Sequence, residues 1–298
     1  MEILSIIIPT YNRAESLVKQ VHALLPQLTD EVRLIVIDNK SSYDIHSLFT
    51  DEEKQYFTII VNNINIGGAA NIAKCFEICE SQWLWTLSDD DIVVEDAVNC
   101  VLDSIKDKDD TIMVNFFALL EGSSYKGLQE FAKMTMKNGA YGNLFYMSCC
   151  VYNMNIVRDY MHIYYRAIST MQPGIILLTR ILDENPSYKV DLIKKTICKD
   201  DGNNISWNRE KFIYASLYIL DLLRDLKPKL KRSLFDSIYF MCLDEVRLSR
   251  NAGMSFIHSM LVYKRIASRF GYIDSIIYHG KTIIRHLIRL ILFKLKIR

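Results

Sequence analysis

Glycine and proline are scarce in this sequence, and long uncharged apolar runs are absent. Its 298 residues include 11 Gly and 5 Pro, while 50% are hydrophobic and 24% are charged. This balance excludes collagen-like, low-complexity and disordered chains and is typical of a globular protein. No uncharged stretch reaches the roughly 18 residues that a membrane-spanning helix requires, so we do not expect a transmembrane segment.

An overall basic excess is also lacking. The formal charge is +1, which gives no reason to expect nucleic acid as a partner, because phosphates bind to a surplus of Lys and Arg. The positive charge is concentrated instead. Residues 281–298 contain six Lys or Arg and no acid, so the other residues carry −5 once these six are subtracted from +1.

The seven cysteines show neither a CxxC pair nor the spacing of zinc ligands. We therefore expect free, buried thiols in a reducing cytoplasm. The first residues, Glu2–Ile8, include one acid and no basic residue, so a signal peptide is not expected. A cytoplasmic location follows as the prediction.

The first 120 residues alternate short β-rich runs with helical patterns, which predicts an α/β fold with a mainly parallel sheet. From residue 208 onward the pattern is mostly helical, and a helix over Pro173–Leu182 and a strand over Lys189–Cys198 precede that region. The five runs predicted as strands of the first part are Leu4–Ile8, Arg33–Ile37, Phe57–Val61, Trp83–Leu87 and Thr111–Phe117.

Parallel sheets of this type bind ligands beyond the carboxyl ends of their strands. There the sequence places three consecutive carboxylates, Asp89–Asp91, which repel one another unless a cation lies between them. Mg²⁺ or Mn²⁺ takes one or two protein carboxylates and completes its shell with phosphate oxygens and water, so a metal-bound diphosphate is one interpretation. The alternative is that these acids simply begin a helix, because negatively charged side chains interact favourably with the positive N-terminal end of the helix dipole.

Two other strand ends are also polar. Asp38 can accept a hydrogen bond from the imide N–H of a uracil or thymine ring, or it can close an ordinary Asx turn. Asn65–Gly68 precedes a helix, so its backbone N–H groups can face a phosphate or simply begin that helix.

Together these segments resemble family 2 glycosyltransferases over residues 1 to about 115. The resemblance rests on four segments in the order and spacing of that family, Ile6–Arg13, Val36–Ser42, Asn65–Gly67 and Leu87–Asp91. It implies an inverting enzyme with the GT-A fold and a Rossmann-like nucleotide-binding sheet. It also implies a nucleotide-sugar donor, with a UDP-sugar as the first expectation.

The resemblance also implies roles for individual residues. Asp90 is the first choice as ligand of Mn²⁺ or Mg²⁺ and Asp91 the second, because Ser88 replaces the usual first acid and leaves the register open by one residue. The positions implied to bind the nucleotide are Pro9, Thr10, Tyr11, Asn12, Asp38, Asn65, Gly67 and Asp89.

Three segments of the second half, Tyr146–Cys150, Met171–Gly174 and Ile197–Trp207, resemble O-antigen and capsule sugar transferases such as the abequosyltransferase-like proteins, which implies a glycan acceptor on a polyprenyl carrier. Residues 1–120 are then the nucleotide-sugar half, 121–207 the acceptor half, and 208–298 a helical region. Many family members supply the catalytic base from an acidic pair at a helix start, but here that helix begins Gln172-Pro173. Asp200, Asp201 and His162 are the remaining candidates, with Asp201 and His162 put forward.

Residues 281–298 form a basic amphipathic pattern that suits an anionic membrane surface, which predicts a peripheral enzyme on the inner face of the cell membrane. The alternative is a helix packed on the domain. Two other functions stay open at this stage. A non-catalytic sugar-nucleotide-binding scaffold would account for the missing acid, whereas a nucleotidyltransferase would need a Gly-rich basic loop that Pro9–Arg13 lacks.

Overall fold

The computed structural model describes residues 2–117, 122–137, 140–200, 208–226, 228–230, 233–271 and 276. The elements of the first part confirm the five predicted strands to within a few residues. They are β1 (Leu4–Thr10), α1 (Ala14–Leu24), β2 (Val32–Asp38), β3 (Phe57–Val61), α2 (Gly68–Ile78), β4 (Trp83–Thr86), β5 (Asp91–Val93), α3 (Ala97–Ile105) and β6 (Thr111–Phe116).

The second part contains short strands among helices. Its elements are β7 (Ser123–Lys126), α4 (Gly127–Met134), α5 (Ala140–Asn143), β8 (Cys150–Asn153), α6 (Met154–Val157), α7 (Met161–Ala167), α8 (Pro173–Glu184), β9 (Lys189–Ile193), β10 (Cys198–Asp200), α9 (Arg209–Leu222), α10 (Ser233–Asn251) and α11 (Phe256–Phe270). The mostly helical C-terminal region is thereby confirmed for the described residues beyond 208.

Eight strands form one central sheet in the order β3-β2-β1-β4-β8-β6-β9-β7. The first four strands are parallel, and β6 is parallel to β9. Strand β8 runs antiparallel between β4 and β6, and β7 runs antiparallel to β9. The sheet is therefore mixed and mainly parallel, as predicted, and β1, β2 and β4 end at the same edge.

Helices cover both faces because β1 and its neighbours are apolar on both sides. Ile6 and Ile8 face the core formed with α1 and α3, whereas Ile7 faces the core formed with α2. The second core continues through α8 to α11, with Ile213, Ile238 and other residues fully buried. The result is a sheet fixed between two helical layers.

One predicted strand was wrong. The run Lys189–Cys198 is not continuous, because β9 ends at Ile193 and the chain then leaves the central sheet. Residues Cys198–Asp200 form β10, which pairs antiparallel with β5 and places Asp200 opposite Asp91. Periodicity alone did not reveal this change of sheet.

Among the described residues, no helix is long and apolar enough to cross a membrane. The seven cysteines, all in described positions, are free thiols, and six of them are buried. The domain boundaries at 120 and 207 stay a prediction, and strands from both of those halves contribute to the one central sheet.

Candidate active site

The acidic cluster Asp89–Asp91 follows β4 at the carboxyl edge of the sheet. Asp89 is buried and accepts a hydrogen bond from Thr10 Oγ1 at 2.6 Å and another from Arg13 Nη1 at 2.9 Å. Burial raises the pKa of Asp89, although Thr10 and Arg13 both favour its charged form. Asp89 therefore joins β4 to β1 and to the start of α1.

Asp90 is the most accessible of the three carboxylates, with 27% of its side chain exposed. It accepts hydrogen bonds from Arg13 Nη1 and from the Ser88 hydroxyl. Burial opposes the charge of Arg13, but the attraction of Asp89 and then Asp90 outweighs it and raises the pKa of the guanidinium. Arg13 is thus the cation that lies between the Asp89 and Asp90 carboxylates.

Asp91 contacts side chains from the second half of the chain. Its carboxylate accepts hydrogen bonds from the Tyr146 hydroxyl at 2.6 Å and from the Ser148 hydroxyl. The Ser148 hydroxyl also accepts a hydrogen bond from the Ser88 backbone N–H at 2.9 Å. Burial and the bond to Asp91 raise the pKa of Tyr146. These contacts anchor the acidic cluster to the segment that precedes β8.

The turn after β2 is closed by Asp38, which is 1% exposed. Its carboxylate accepts hydrogen bonds from the Ser41 backbone N–H at 3.1 Å and from the Ser41 hydroxyl at 2.6 Å. Ser41 Oγ in turn accepts a hydrogen bond from the Asn12 backbone N–H at 2.8 Å. The Asx-type turn considered as an alternative is therefore present, and it links the loops after β1 and β2.

A network of amide side chains positions the loop after β3. Asn39 Nδ2 donates to Asn65 Oδ1 at 2.8 Å, and Asn39 Oδ1 accepts from the Ile66 backbone N–H at 2.9 Å. Asn62 Nδ2 donates to both Asn39 and Asn71, at 3.0 and 2.8 Å. Because Asn39 and Asn62 are buried, these bonds form out of water and fix the loop firmly.

Gly67 ends that loop with φ +86°, a backbone conformation that residues with a Cβ rarely adopt. Its N–H donates to Asn65 Oδ1 at 2.8 Å, so the loop closes on itself immediately before α2 begins. Asn65 and Gly67 are both exposed at this end of the helix. The loop is therefore exposed to solvent at the edge where Asp38 and the acidic cluster lie.

The structure brings together most of the predicted nucleotide-binding residues. Pro9 and Thr10 end β1, Thr10 is in register with Asp38, and Thr10 Oγ1 contacts Asp89. Tyr11 and Asn12 follow in an exposed turn, with Tyr11 44% exposed. Because β1 lies between β2 and β4, Thr10 is the residue that connects the Asp38 turn with the acidic cluster.

The two candidate bases are placed differently. His162 is exposed near the start of α7, in a stretch where Arg158 contacts the Cys79 carbonyl and Tyr165 contacts Glu77. These contacts are with the C-terminal end of α2, at the opposite end of β4 from the acidic cluster, so the position of His162 disfavours it as the base. Asp201 lies outside the described residues, as do residues 281–298.

The start of α8, where the sequence lacks the acidic pair of many family members, is buried inside the protein. Gln172 is 1% exposed, accepts a hydrogen bond from the Tyr141 hydroxyl at 2.6 Å and donates to Ser216 Oγ at 2.6 Å. Both ends of its amide are therefore engaged inside the helical layer. Gln172 holds α5, α8 and α9 together and does not replace a base.

The residues at the cluster can be tested against a divalent cation. Within the described part of the chain, no group of three or more His, Cys, Asp or Glu side chains forms a ready metal site. Asp89 and Asp91 are buried, which leaves Asp90 as the accessible carboxylate. One or two carboxylates are sufficient for Mg²⁺ or Mn²⁺ when phosphate oxygens and water complete the shell, so the donor set fits an ion that arrives with a diphosphate.

Several residues of the site were not predicted from the sequence. Arg13 was part of a recognised segment but had no role, although three adjacent acids require a nearby cation. Tyr146 and Ser148 come from more than fifty residues away, so no local pattern indicates them. Gln20 is a buried polar residue on α1 whose amide contacts the Ser88 carbonyl and the Val93 N–H, both at 3.3 Å. Its position in an otherwise apolar helical face was the available signal.

Known proteins are similar to this chain in sequence or in fold. Over 121 residues the chain is 25% identical to "Glycosyltransferase GlyG" of Streptococcus pneumoniae serotype 4, covering 39% of this chain and 40% of GlyG. The chain thus spans less than half the length of this relative.

Solved structures agree on the fold. Residues 1–349 of TarS from S. aureus superpose with a TM-score of 0.61 at 11% identity, covering 91% of this chain and 80% of that one. The mannosyltransferase PcManGT from Pyrobaculum calidifontis, solved with GDP-Man and Mn²⁺, superposes with a TM-score of 0.54 at 11% identity, covering 90% and 80%. The predicted GT-A fold is confirmed. The model of "Glycosyl transferase family 2" matches residues 5–168, more than half of the chain, and the chain therefore belongs to glycosyl transferase family 2.

Proposed function

We propose that this glycosyltransferase moves a sugar from a nucleotide-sugar to a hydroxyl of a growing glycan, with inversion at the anomeric carbon. A UDP-sugar is the first candidate for the donor, and Mn²⁺ or Mg²⁺ assists the reaction. The observation that carries the proposal is the link through Thr10. Its strand register joins the Asp38 turn, and its hydroxyl joins Asp89 of the acidic cluster. One edge of the sheet therefore offers a polar turn for a nucleoside beside carboxylates for a metal-bound diphosphate.

The nucleoside would lie over the turns that follow β1 and β2. Tyr11 is an exposed aromatic ring at that edge, and an aromatic ring offers a stacking surface to a base. Pro9, Asn12 and Asp38 would shape the base and ribose site, while Asn65, Gly67 and the first backbone N–H groups of α2 would lie beside the phosphates. TarS has been solved with UDP-GlcNAc, and this ligand of a structural neighbour supports a nucleotide-sugar donor here.

Asp90 would be the main metal ligand because its carboxylate is the accessible one. Asp91 is the second candidate because it is more buried than Asp90, and its oxygens accept hydrogen bonds from Tyr146 and Ser148. A bound divalent cation would stabilise the charge that develops on the departing nucleoside diphosphate. The Mn²⁺ in the PcManGT complex supports this assignment. Arg13 would keep Asp89 and Asp90 close together and add a second positive charge near the diphosphate.

Inverting transfer needs a base beside the acceptor hydroxyl. We assign this role first to Asp201, because β10 pairs with β5 and brings the backbone of the preceding residue, Asp200, opposite Asp91. The carboxylate would take the hydroxyl proton as the oxygen attacks the anomeric carbon from the side opposite the diphosphate. Inversion follows from this single displacement.

For the acceptor we propose a polyprenyl-linked intermediate of a surface polysaccharide, of the O-antigen or capsule class. The resemblance of the second half to such transferases supports it, and so does the basic pattern of residues 281–298. A lipid-linked acceptor would place the enzyme peripherally on the cytoplasmic face of the cell membrane.

The experiment is a comparison of two acid-to-amide variants in an assay of released nucleoside diphosphate with Mn²⁺. Asp90→Asn should lower kcat/KM by roughly a hundredfold or more, since a metal at a developing charge contributes several kcal/mol. Glu95→Gln, a nearby exposed acid, should change it little.

A second measurement separates the metal from the donor. Thermal shifts with UDP-, GDP- and TDP-sugars should show stabilisation that needs Mn²⁺ in the wild type. The metal requirement should be lost in Asp90→Asn while the melting temperature without ligand stays close to that of the wild type. If Asp90→Asn kept wild-type activity with the same metal dependence, Asp90 would not be the metal ligand.

A further inference from the structure

The outward side of α11 carries an apolar patch. Phe256, Ile257, Met260 and Leu261 are exposed by 62, 74, 55 and 62%. They are neighbours on one side of the helix because residues three and four positions apart lie next to each other. The opposite side holds Val262 and Ile266, which are buried against the helical core. We name the four exposed residues the α11 patch.

Single exposed apolar side chains are ordinary, but a contiguous group of four large ones within six residues is characteristic of an interaction site. Neither the proposed nucleotide site nor the acidic cluster involves this helix. The patch lies in the two N-terminal turns of α11, at the end of the helical layer that begins with α9. It therefore requires an explanation of its own.

Basic groups border the patch. The guanidinium of Arg250 lies 5.4 Å from the centroid of the Phe256 ring, and Lys264 follows Met260 by one turn. Residues 246–271 contain five Lys or Arg, and no Asp or Glu. Two acids of neighbouring helices that face α11 are paired, Glu210 with His258 and Asp221 with Arg269, both at 2.9 Å.

This charge distinguishes between possible partners. A second copy of the chain on a two-fold axis would set the basic border of one patch against that of the other, and like charges oppose such an interface. The basic residues 281–298 are disfavoured as a cover for the same reason. An anionic lipid surface offers negative headgroups for Arg250 and Lys264 and an apolar interior for the four side chains.

We propose that the α11 patch docks on an anionic lipid surface, with its apolar side chains in the headgroup boundary and Arg250 and Lys264 on lipid phosphates. The inference deepens the proposed function and rests on it in one respect, because a lipid-linked acceptor gives docking its purpose. It assigns the contact to a surface of the helical layer, in addition to residues 281–298.

The test is sedimentation of the full chain with vesicles of phosphatidylcholine containing increasing phosphatidylglycerol. Ile257→Ser/Leu261→Ser should weaken binding at least tenfold, whereas Tyr56→Ser, an equally exposed control at 63%, should not. Arg250→Glu/Lys264→Glu should weaken it further, because each basic residue near an anionic surface strengthens binding about fivefold. Arg224→Glu, whose side chain is 76% exposed, is the matched charge control.

Several outcomes would overturn the proposal. These are wild-type binding by both double variants, equal binding to neutral vesicles, no vesicle binding by the wild type, or a wild-type dimer that the patch variants dissociate. Loss of binding only on deletion of 281–298 would assign the contact to the tail alone. Unfolding midpoints should match the wild type, since the changed side chains are exposed. Release of nucleoside diphosphate with a water-soluble acceptor is measured separately, so failure of docking is distinguishable from failure of the transferase proposal.

Discussion

Replacing Asp89 by Asn tests how the acidic cluster is held in the absence of ligands. The change removes one buried negative charge and keeps the size of the side chain. The amide oxygen can accept the hydrogen bond from Arg13, and the amide nitrogen can donate to the Thr10 hydroxyl if that hydroxyl turns round. Arg13 also keeps Asp90 as a partner. The variant therefore isolates the cost of burying the charge.

Two opposing contributions determine the magnitude. Hydrogen bonds to a charged group contribute about 1.5–3 kcal/mol each, whereas taking a carboxylate out of water costs several kcal/mol. Because burial raises the pKa of Asp89 above its usual range, the desolvation of the charge costs more than its hydrogen bonds contribute. We therefore expect the free energy of unfolding of Asp89→Asn at neutral pH to stay within about 1 kcal/mol of the wild type, well short of the 3–5 kcal/mol typical of a broken buried ion pair.

The pH dependence of the unfolding free energy shows whether the Asp89 charge stabilises or destabilises the fold. With a raised pKa the folded wild type binds the Asp89 proton more tightly than the unfolded chain, so its stability falls as pH rises from about 4, the usual aspartate pKa, through the raised pKa. Asparagine has no such proton. The difference in unfolding free energy should therefore move in favour of the variant as pH rises, in urea unfolding followed by circular dichroism with EDTA present.

A second substitution provides the control. Hydrogen bonds from Arg180 lower the pKa of Asp225, so its contribution is complete above the usual aspartate pKa and is lost only as pH falls below it. Between about pH 5 and 7 the difference between wild type and Asp225→Asn should stay constant. The reasoning on Asp89 is refuted if Asp89→Asn is less stable by about 3 kcal/mol or more, or if the wild type gains on it as pH rises.

Two further substitutions test the packing that supports the site. Gly174→Ala should lower the free energy of unfolding by about 1–3 kcal/mol, because its Cβ would lie 2.7 Å from the Tyr152 hydroxyl. The double variant with Tyr152→Phe should recover most of this loss in urea unfolding, and Gly142→Ala, where a Cβ meets open space, should be nearly neutral. Asn62→Ala should lower stability by about 2 kcal/mol or more by leaving buried amides unpaired, and it should raise KM for the donor; unchanged KM would remove the amide network from donor binding.

The strands and the carboxyl edge were predictable because their signals are local. Runs such as Leu4–Ile8 and Leu34–Ile37 are apolar on both faces, which is typical of a buried strand between helical layers. The polar residues after each run then identify the ligand-binding edge without any knowledge of strand order. For this reason Thr10, Asp38 and Asp89 could be grouped from the sequence.

Contacts between distant segments were not predictable. Neither Tyr146 nor Ser148 carries a pattern that points to Asp91, and their meeting depends on β8 entering the sheet next to β4. Lys189–Cys198 was predicted as one strand, but β9 ends just before Lys194 and Lys195, and the pairing of β10 with β5 is decided by tertiary packing. The inward-facing amide of Gln172 is likewise a tertiary feature.

The antiparallel strand β8 limits how this protein can be divided or recombined. Strand β4 pairs with β1 on one side and with β8 on the other, and β8 is also the neighbour that connects β4 to β6. A fragment that stops before Cys150 would expose the edge of β4 and leave β6 without this partner, and open edges of apolar strands promote aggregation. Exchange of C-terminal segments between relatives should therefore keep β8 with the recipient sheet and place the junctions after Asn153.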